Sequence, residues 1–185
     1  MTRPWRWTLL PLVAALAAGC AAPPVPQDYA RETPVLDLRC FLDGPLLAHG
    51  LFTDRAGRVV RRFTVALVGR WDGDRGELQE DFRYADGQTQ RRVWHLVRTA
   101  PGRYTGTADD VVGEADGRAA GNALNWRYTL RLPVDGRDIE VQFDDWMFLV
   151  DEHVMINKAA MSKFGIALGE VTLSFQKSAG AGTCR

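Results

Sequence analysis

Residues Ala123–Leu132 read ALNWRYTLRL. Leu124, Trp126, Tyr128, Leu130 and Leu132 fall at every second position, and Asn125, Arg127, Thr129 and Arg131 fill the gaps. Successive side chains on a strand point to opposite faces, so this pattern predicts a strand with one dry face and one wet face. The same period runs outward in both directions. Val59, Arg61, Phe63, Val65, Leu67 and Trp71 share a face, as do Leu78, Glu80, Phe82 and Tyr84. Further on, Ile139, Val141 and Phe143 form a third set, and Val171, Leu173 and Phe175 a fourth. Asp72-Gly73, Asp86-Gly87 and Asp135-Gly136 lie between alternating runs, and Asp-Gly favours tight hairpins. Only residues 157–163, NKAAMSK, read equally well as a short helix or as more strand. An antiparallel meander of this length must hide its edges, and closure does so. The expected fold is therefore all-β: an up-and-down barrel of about eight to ten strands, wide enough for side chains or one small ligand.

The N-terminus is of another kind. Arg3 and Arg6 precede TLLPLVAALAAG, an apolar run of twelve residues that ends at Cys20. Twelve residues are too few to span a bilayer and suit a secretion signal. A Cys directly after small residues matches the lipidation site of bacterial lipoproteins, the alternative being an ordinary signal with an incidental Cys. Ala21 stands where an Asp would signal retention in the inner membrane. The expectation is a signal peptide over 1–19, a lipidated tether over 20–34, a barrel domain over 35–178 and a flexible tail over 179–185. The protein would be anchored in the outer membrane by lipid on Cys20 and face the periplasm. With Cys20 lipidated, Cys40 and Cys184 remain in an oxidising compartment, where they either pair or stay as two thiols.

The 185 residues carry 23 basic and 23 acidic side chains. That balance gives no footprint for nucleic acid and no sign of a polybasic membrane patch. No CxxC pair and no HExxH spacing occurs, so no metal or other cofactor is expected. Ser162, Ser174 and Ser178 are the serines, and none stands in GxSxG. TADDVVGEADG, residues 107–117, reads as a surface acidic loop or a weak cation site.

Four long blocks carry a resemblance: LDLRCFLDGPLLAHGLFTDRAGRVVRRF, EDFRYADGQTQRRVW, YTGTADDVVGEADGRAAGNALNWRYTL and FDDWMFLVDEHVMINKAAMSKFGIALGEVTLSF. They resemble the DUF3833 family of bacterial lipoproteins over about residues 29–177. The resemblance implies a lipoprotein with a calycin-like, lipocalin-related barrel. It brings no catalytic residues, because the family is defined without a function.

The candidate site rests on charges that share faces with large apolar side chains. Arg61, Glu80 and Arg92 fall with Phe63, Phe82 and Trp94, and Asp145 falls with Val141 and Phe143 unless a bulge substitutes Asp144. Neighbours on a strand face opposite ways, so one aspartate of the pair goes inward to an arginine and the other outward to water. Burying one charge alone costs several kcal/mol, so the group is either a structural ion network or the polar end of an apolar pocket. Trp94, Trp126 and Tyr128 would line that pocket, and Trp71 and Trp146 would join the core. The leading functional expectation is non-catalytic binding of an amphipathic small molecule, with a lipid the foremost kind. The alternatives are a lipid-modifying enzyme using the Arg/Asp/Glu group, and a structural or accessory lipoprotein whose barrel is filled.

Overall fold

The computed structural model describes residues 22–134 and 136–177. Among them ten strands follow one another: β1 (Gly44–Asp54), β2 (Val59–Asp72), β3 (Arg75–Tyr84), β4 (Thr89–Ala100), β5 (Arg103–Thr107), β6 (Ala115–Ala120), β7 (Ala123–Val134), β8 (Arg137–Leu149), β9 (Val154–Lys163) and β10 (Ile166–Lys177). Each strand pairs antiparallel with its neighbours in sequence, and β1 pairs with β10, so the sheet closes into a barrel. The all-β meander expected from the alternation is the fold the chain adopts. Turns fall where the Asp-Gly pairs place them: Gly73 and Gly87 have φ of 57° and 86°, a region that glycine enters without steric cost.

Asn157–Lys163 is the second half of β9. Met155, Asn157 and Ala159 are buried there, while Lys158 and Ala160 are exposed. A buried asparagine at the centre of the inward face is what hid the period from the sequence.

The two ends of the barrel differ. A one-turn helix, α1 (Leu38–Phe41), lies across the end where β1 begins and β10 finishes. Asp37 caps it, its carboxylate accepting a hydrogen bond from the Arg39 backbone N–H at 3.0 Å, which satisfies one orphan donor of the turn. Leu38, Phe41 and Leu42 point inward and are buried. Arg39 reaches Asp74 in the β2–β3 turn at 3.1 Å, and the Lys177 ammonium at the end of β10 donates to the Cys40 carbonyl. Gly69 lets the plug seat, because a Cβ there would lie 1.7 Å from the Leu42 carbonyl oxygen. The opposite end, formed by the turns β1–β2, β3–β4, β5–β6, β7–β8 and β9–β10, is open.

The segment before α1 is docked. Pro26–Tyr29 forms a 3-10 turn against β6 and β7. The Tyr29 ring packs edge-on against Trp146 and Phe148, at centroid distances of 5.9 and 5.1 Å. The Leu36 N–H donates to the Gly121 carbonyl at 2.8 Å. Trp146 faces outward, and the apolar patch it makes with Phe148 is what Tyr29 covers. Composition placed these residues in a tether because their apolar contacts are few and far apart in sequence. Residues 1–21, including Cys20, and the tail from 178 lie outside the described residues. Cys40 is disulfide-bonded, and Cys184 lies outside the described residues.

Candidate functional site

The barrel holds a cavity of about 870 Å³, with α1 as its floor and the open end as its mouth. That volume is within the range of small-molecule pockets. Near the floor the wall is Leu78, Leu96, Leu124 and Met155, and towards the mouth it is Phe63, Phe82, Val141 and Leu168. Between the two zones runs a polar belt, and every member of it comes from the inward face of a strand or from the β5–β6 loop.

Arg92, on β4, is the centre of the belt. Its Nε donates to both oxygens of Asp110 at 3.0 Å, and Nη2 donates to Asp110 Oδ2 at 2.7 Å. Nη1 lies 3.6 Å from Glu80 Oε2 across the β3–β4 register. Burial opposes the charge on Arg92, but the bonds it donates to Asp110 and the charge of Glu80 outweigh it and raise the pKa. Burial raises the Glu80 pKa, with Arg92 opposing the shift.

Asp145, on β8, is 5% exposed. Its Oδ2 accepts a hydrogen bond from the Tyr128 hydroxyl at 3.2 Å. Burial pushes the carboxyl up to about 8; the Tyr128 bond and Arg92 pull down, while Asp144 and Glu80 push further up. At neutral pH the protonated form is therefore favoured, and Asp145 is then a hydrogen-bond donor as well as an acceptor. Asp145 Oδ1 and Glu80 Oε2 are buried without a hydrogen-bond partner among the described residues.

Aromatic rings fix this geometry. Trp94 meets Trp126 and Tyr128 edge-on at 5.7 and 5.4 Å, and Tyr128 stacks on Phe143 at 5.0 Å. Trp94 is on β4 and Trp126 on β7, so the rings touch across the two short strands between them. Those strands make room with glycine: a Cβ on Gly106 or Gly117 would lie 2.8 or 2.3 Å from the Trp126 indole. This packing is what requires glycine at 117.

A family model described as a protein of unknown function, DUF3833, matches residues 14–177. The chain belongs to the DUF3833 family. A comparison with curated proteins found no match.

The structure of this DUF3833 protein brings together Glu80, Arg92, Trp94, Trp126, Tyr128 and Asp145, and separates two other residues of the expected group. Asp144 faces outward, where its Oδ1 accepts from Asn125 at 2.5 Å and from Arg127 at 3.3 Å. Arg61 lies at the mouth, paired with Asp86 at 3.0 Å and Gln88 at 2.6 Å, its guanidinium 3.5 Å from the Tyr84 ring centroid. It is therefore no part of the buried network, because it stands near the open end of β2 while Arg92 stands deeper. The arginine expected to meet the inward aspartate instead holds Asp110 and Glu80. Asp110 was the residue the sequence reading left on the surface. It sits in the acidic loop, and only the fold of that loop across the barrel, with Val111 bridging to Leu130, brings it in. Among the described residues no three His, Cys, Asp or Glu side chains converge as a metal site would.

Proposed function

We propose that this DUF3833 protein binds an amphipathic small molecule, a lipid in the first instance, inside the barrel and without catalysis. One observation carries this reading: the cavity of about 870 Å³ is open at one end and lined chiefly by apolar side chains, with a polar belt part-way along it and Arg61, Gln88, Gln90 and Arg131 at its mouth. The Arg92 fork is already occupied by Asp110 and Glu80, so the belt presents carboxyl groups rather than a free guanidinium. A ligand hydroxyl suits Asp145 Oδ1, the belt oxygen that has neither a hydrogen bond nor an ion pair among the described residues, whereas Glu80 Oε2 faces Arg92 at 3.6 Å. The open cavity argues against a filled, purely structural barrel. Lipidation of Cys20 and display from the outer membrane into the periplasm belong to the same proposal. They rest on the basic pair, the apolar run and the Cys of the N-terminal segment.

Native mass spectrometry of protein purified from its own envelope tests the binding reading. The expected spectrum shows one bound molecule of lipid mass that is lost on collisional activation. Protein that arrives bare, and that also fails to take up the neutral probe N-phenyl-1-naphthylamine, would refute it. A second reading, enzymatic conversion of the same ligand, is favoured by one feature: a carboxyl group raised to about 8 on the cavity wall has the poise of a general acid or base. Ligand recovered chemically altered after incubation, with Asp145→Asn abolishing the change, would replace binding by catalysis.

A further inference from the structure

The mouth of the barrel is two-sided. Three neighbouring turns, β7–β8, β9–β10 and β1–β2, form one continuous arc of the rim, because β8 pairs with β9 and β10 with β1. Five large apolar side chains stand exposed on this arc: Val59, Val60, Val134, Phe164 and Ile166. The sequence of the arc (residues 54–62, 131–138 and 163–166) contains seven Arg or Lys against three Asp. The remaining two turns, over residues 84–89 and 108–114, contain four acidic residues and no basic one; Asp110 turns inward to Arg92 and Asp86 pairs with Arg61 of the arc, which leaves Asp109 and Glu114 without an ion pair among the described residues. Overall neutrality hid this division, since the basic residues of the arc come from three separate parts of the chain.

Phe164 marks the arc most strongly. It is 88% exposed and has φ of 51°, a conformation that costs a bulky residue energy and that the following Gly165 adopts freely. Lys163 lies beside its ring, the ammonium 5.3 Å from the centroid. An aromatic held at a hairpin tip, with cations around it and valines on the neighbouring tips, combines the two features that seat a protein at a lipid surface. The apolar tips enter the interface and the cations meet anionic headgroups.

We propose that this arc docks the barrel, mouth first, on the surface of an anionic phospholipid bilayer. The inference rests on the lipid-binding reading for its purpose, because docking there sets the cavity against the source or destination of its ligand. Its physical basis is separate from that reading: the outward exposure of Val59, Val60, Phe164 and Ile166 and the charge of the turns carry it, although Arg61, Arg131 and Val134 of the arc also line the mouth of the cavity. Asp109 and Glu114, exposed on the other side of the rim, are repelled by the same surface, so the barrel tilts onto one side and leaves the mouth partly free.

A polarity-sensitive nitrobenzoxadiazole label on the full chain tests this, placed at the arc through Phe164→Cys or at the closed end through Glu152→Cys. Vesicles of phosphatidylcholine alone are compared with vesicles that also contain phosphatidylglycerol. The label at 164 is expected to brighten several-fold and shift to the blue with phosphatidylglycerol only, while the label at 152 stays unchanged. Arg55, Arg62 and Arg137 make no ion pair among the described residues, and neutralising all three to Ala should weaken the response on the order of a hundredfold. A response at 152 without one at 164, or no response at either, overturns the proposal. Uptake of N-phenyl-1-naphthylamine by the same labelled proteins reads the cavity separately. Probe uptake without any response at 164 would refute the docking and leave ligand binding standing.

Discussion

The closed end and the open end of this barrel are built from the same ten strands by opposite means. At the closed end a short helix fills the lumen, and polar groups fix it from several directions. Asp37 caps it, Arg39 ties it to Asp74, and Lys177 holds the Cys40 carbonyl. At the open end no helix enters the lumen among the described residues, the inward side chains pack along the wall around a cavity, and charges such as Arg61 and Asp86 pair at the rim. A packed end gains stability from every methylene it buries, whereas an unfilled end forgoes that gain and keeps space for a ligand. The difference assigns stability to one end and binding to the other, and mutations should separate them.

The largest contrast is between two phenylalanines. Phe41 is 1% exposed in the plug, while Phe63 is only partly buried and lines the cavity. Phe41→Ala should cost about 3–5 kcal/mol, the usual range for a buried aromatic. Phe63→Ala enlarges a space that already exists and should cost about 1 kcal/mol, the lost burial of part of one ring. Urea midpoints of the two variants give the comparison. Equal losses would show that the mouth is as tightly packed as the floor.

Arg92→Ala tests the belt where the two halves meet. It leaves Glu80 and Asp110 facing each other without their cation, and should cost about 3 kcal/mol, at the low end for a broken buried pair because both carboxyls can take up protons. Urea unfolding at neutral pH measures it. A loss below about 1 kcal/mol would place the belt in water, as a surface pair is.

The pH profile comes next in size. Asp145 has a carboxyl raised from 3.8 to about 8 by burial, so the folded state holds a proton that the unfolded state has already released. Between those two values the folded protein binds the extra proton, and stability falls as pH rises. The slope from this one group is at most about 1.4 kcal/mol per pH unit, and the loss is complete above the folded value. Glu80 is shifted the same way and adds to the slope. Asp145→Asn removes the titrating group and should flatten the profile between pH 5 and 8, read from urea midpoints at each pH. An unchanged slope would mean that Asp145 is ionised and hydrated in the folded protein.

The fold was legible in the sequence, and the site only in part, for a single physical reason. Alternation tells which face of a strand a side chain occupies, and closure of a meander turns one face into the lumen. Glu80, Arg92, Trp94, Trp126, Tyr128 and Asp145 were found that way. Alternation does not tell how far along the barrel axis a residue stands, so Arg61 and Arg92 looked alike. It is silent on loops, so Asp110 was missed. It also cannot see a close backbone approach, so the need for glycine at 69 and 106, where the plug and the Trp126 indole come close, was not legible. The docking of Pro26–Tyr29, inside the expected tether, escaped because its partners, Trp146 and Phe148, are more than a hundred residues away.

Arg61 gives the smallest effect and the finest test of position along the axis. It shares the inward parity of Phe63 and Val65, and a reading by face alone would bury it with Arg92. The structure instead leaves its side chain 36% exposed, against 12% for Arg92. Its partner Asp86 is more open still, so the pair is screened by solvent, and such pairs contribute between nothing and about 1 kcal/mol. The stacking on Tyr84 adds on the order of 0.5 kcal/mol at an exposed site. Arg61→Ala should therefore lower the urea-derived stability by about 1 kcal/mol or less, and the loss should shrink in high salt, where the Arg92→Ala loss should not. If Arg61→Ala instead cost as much as Arg92→Ala and ignored salt, the mouth would be closed over it, and the division of the barrel into a packed end and an open end would fail.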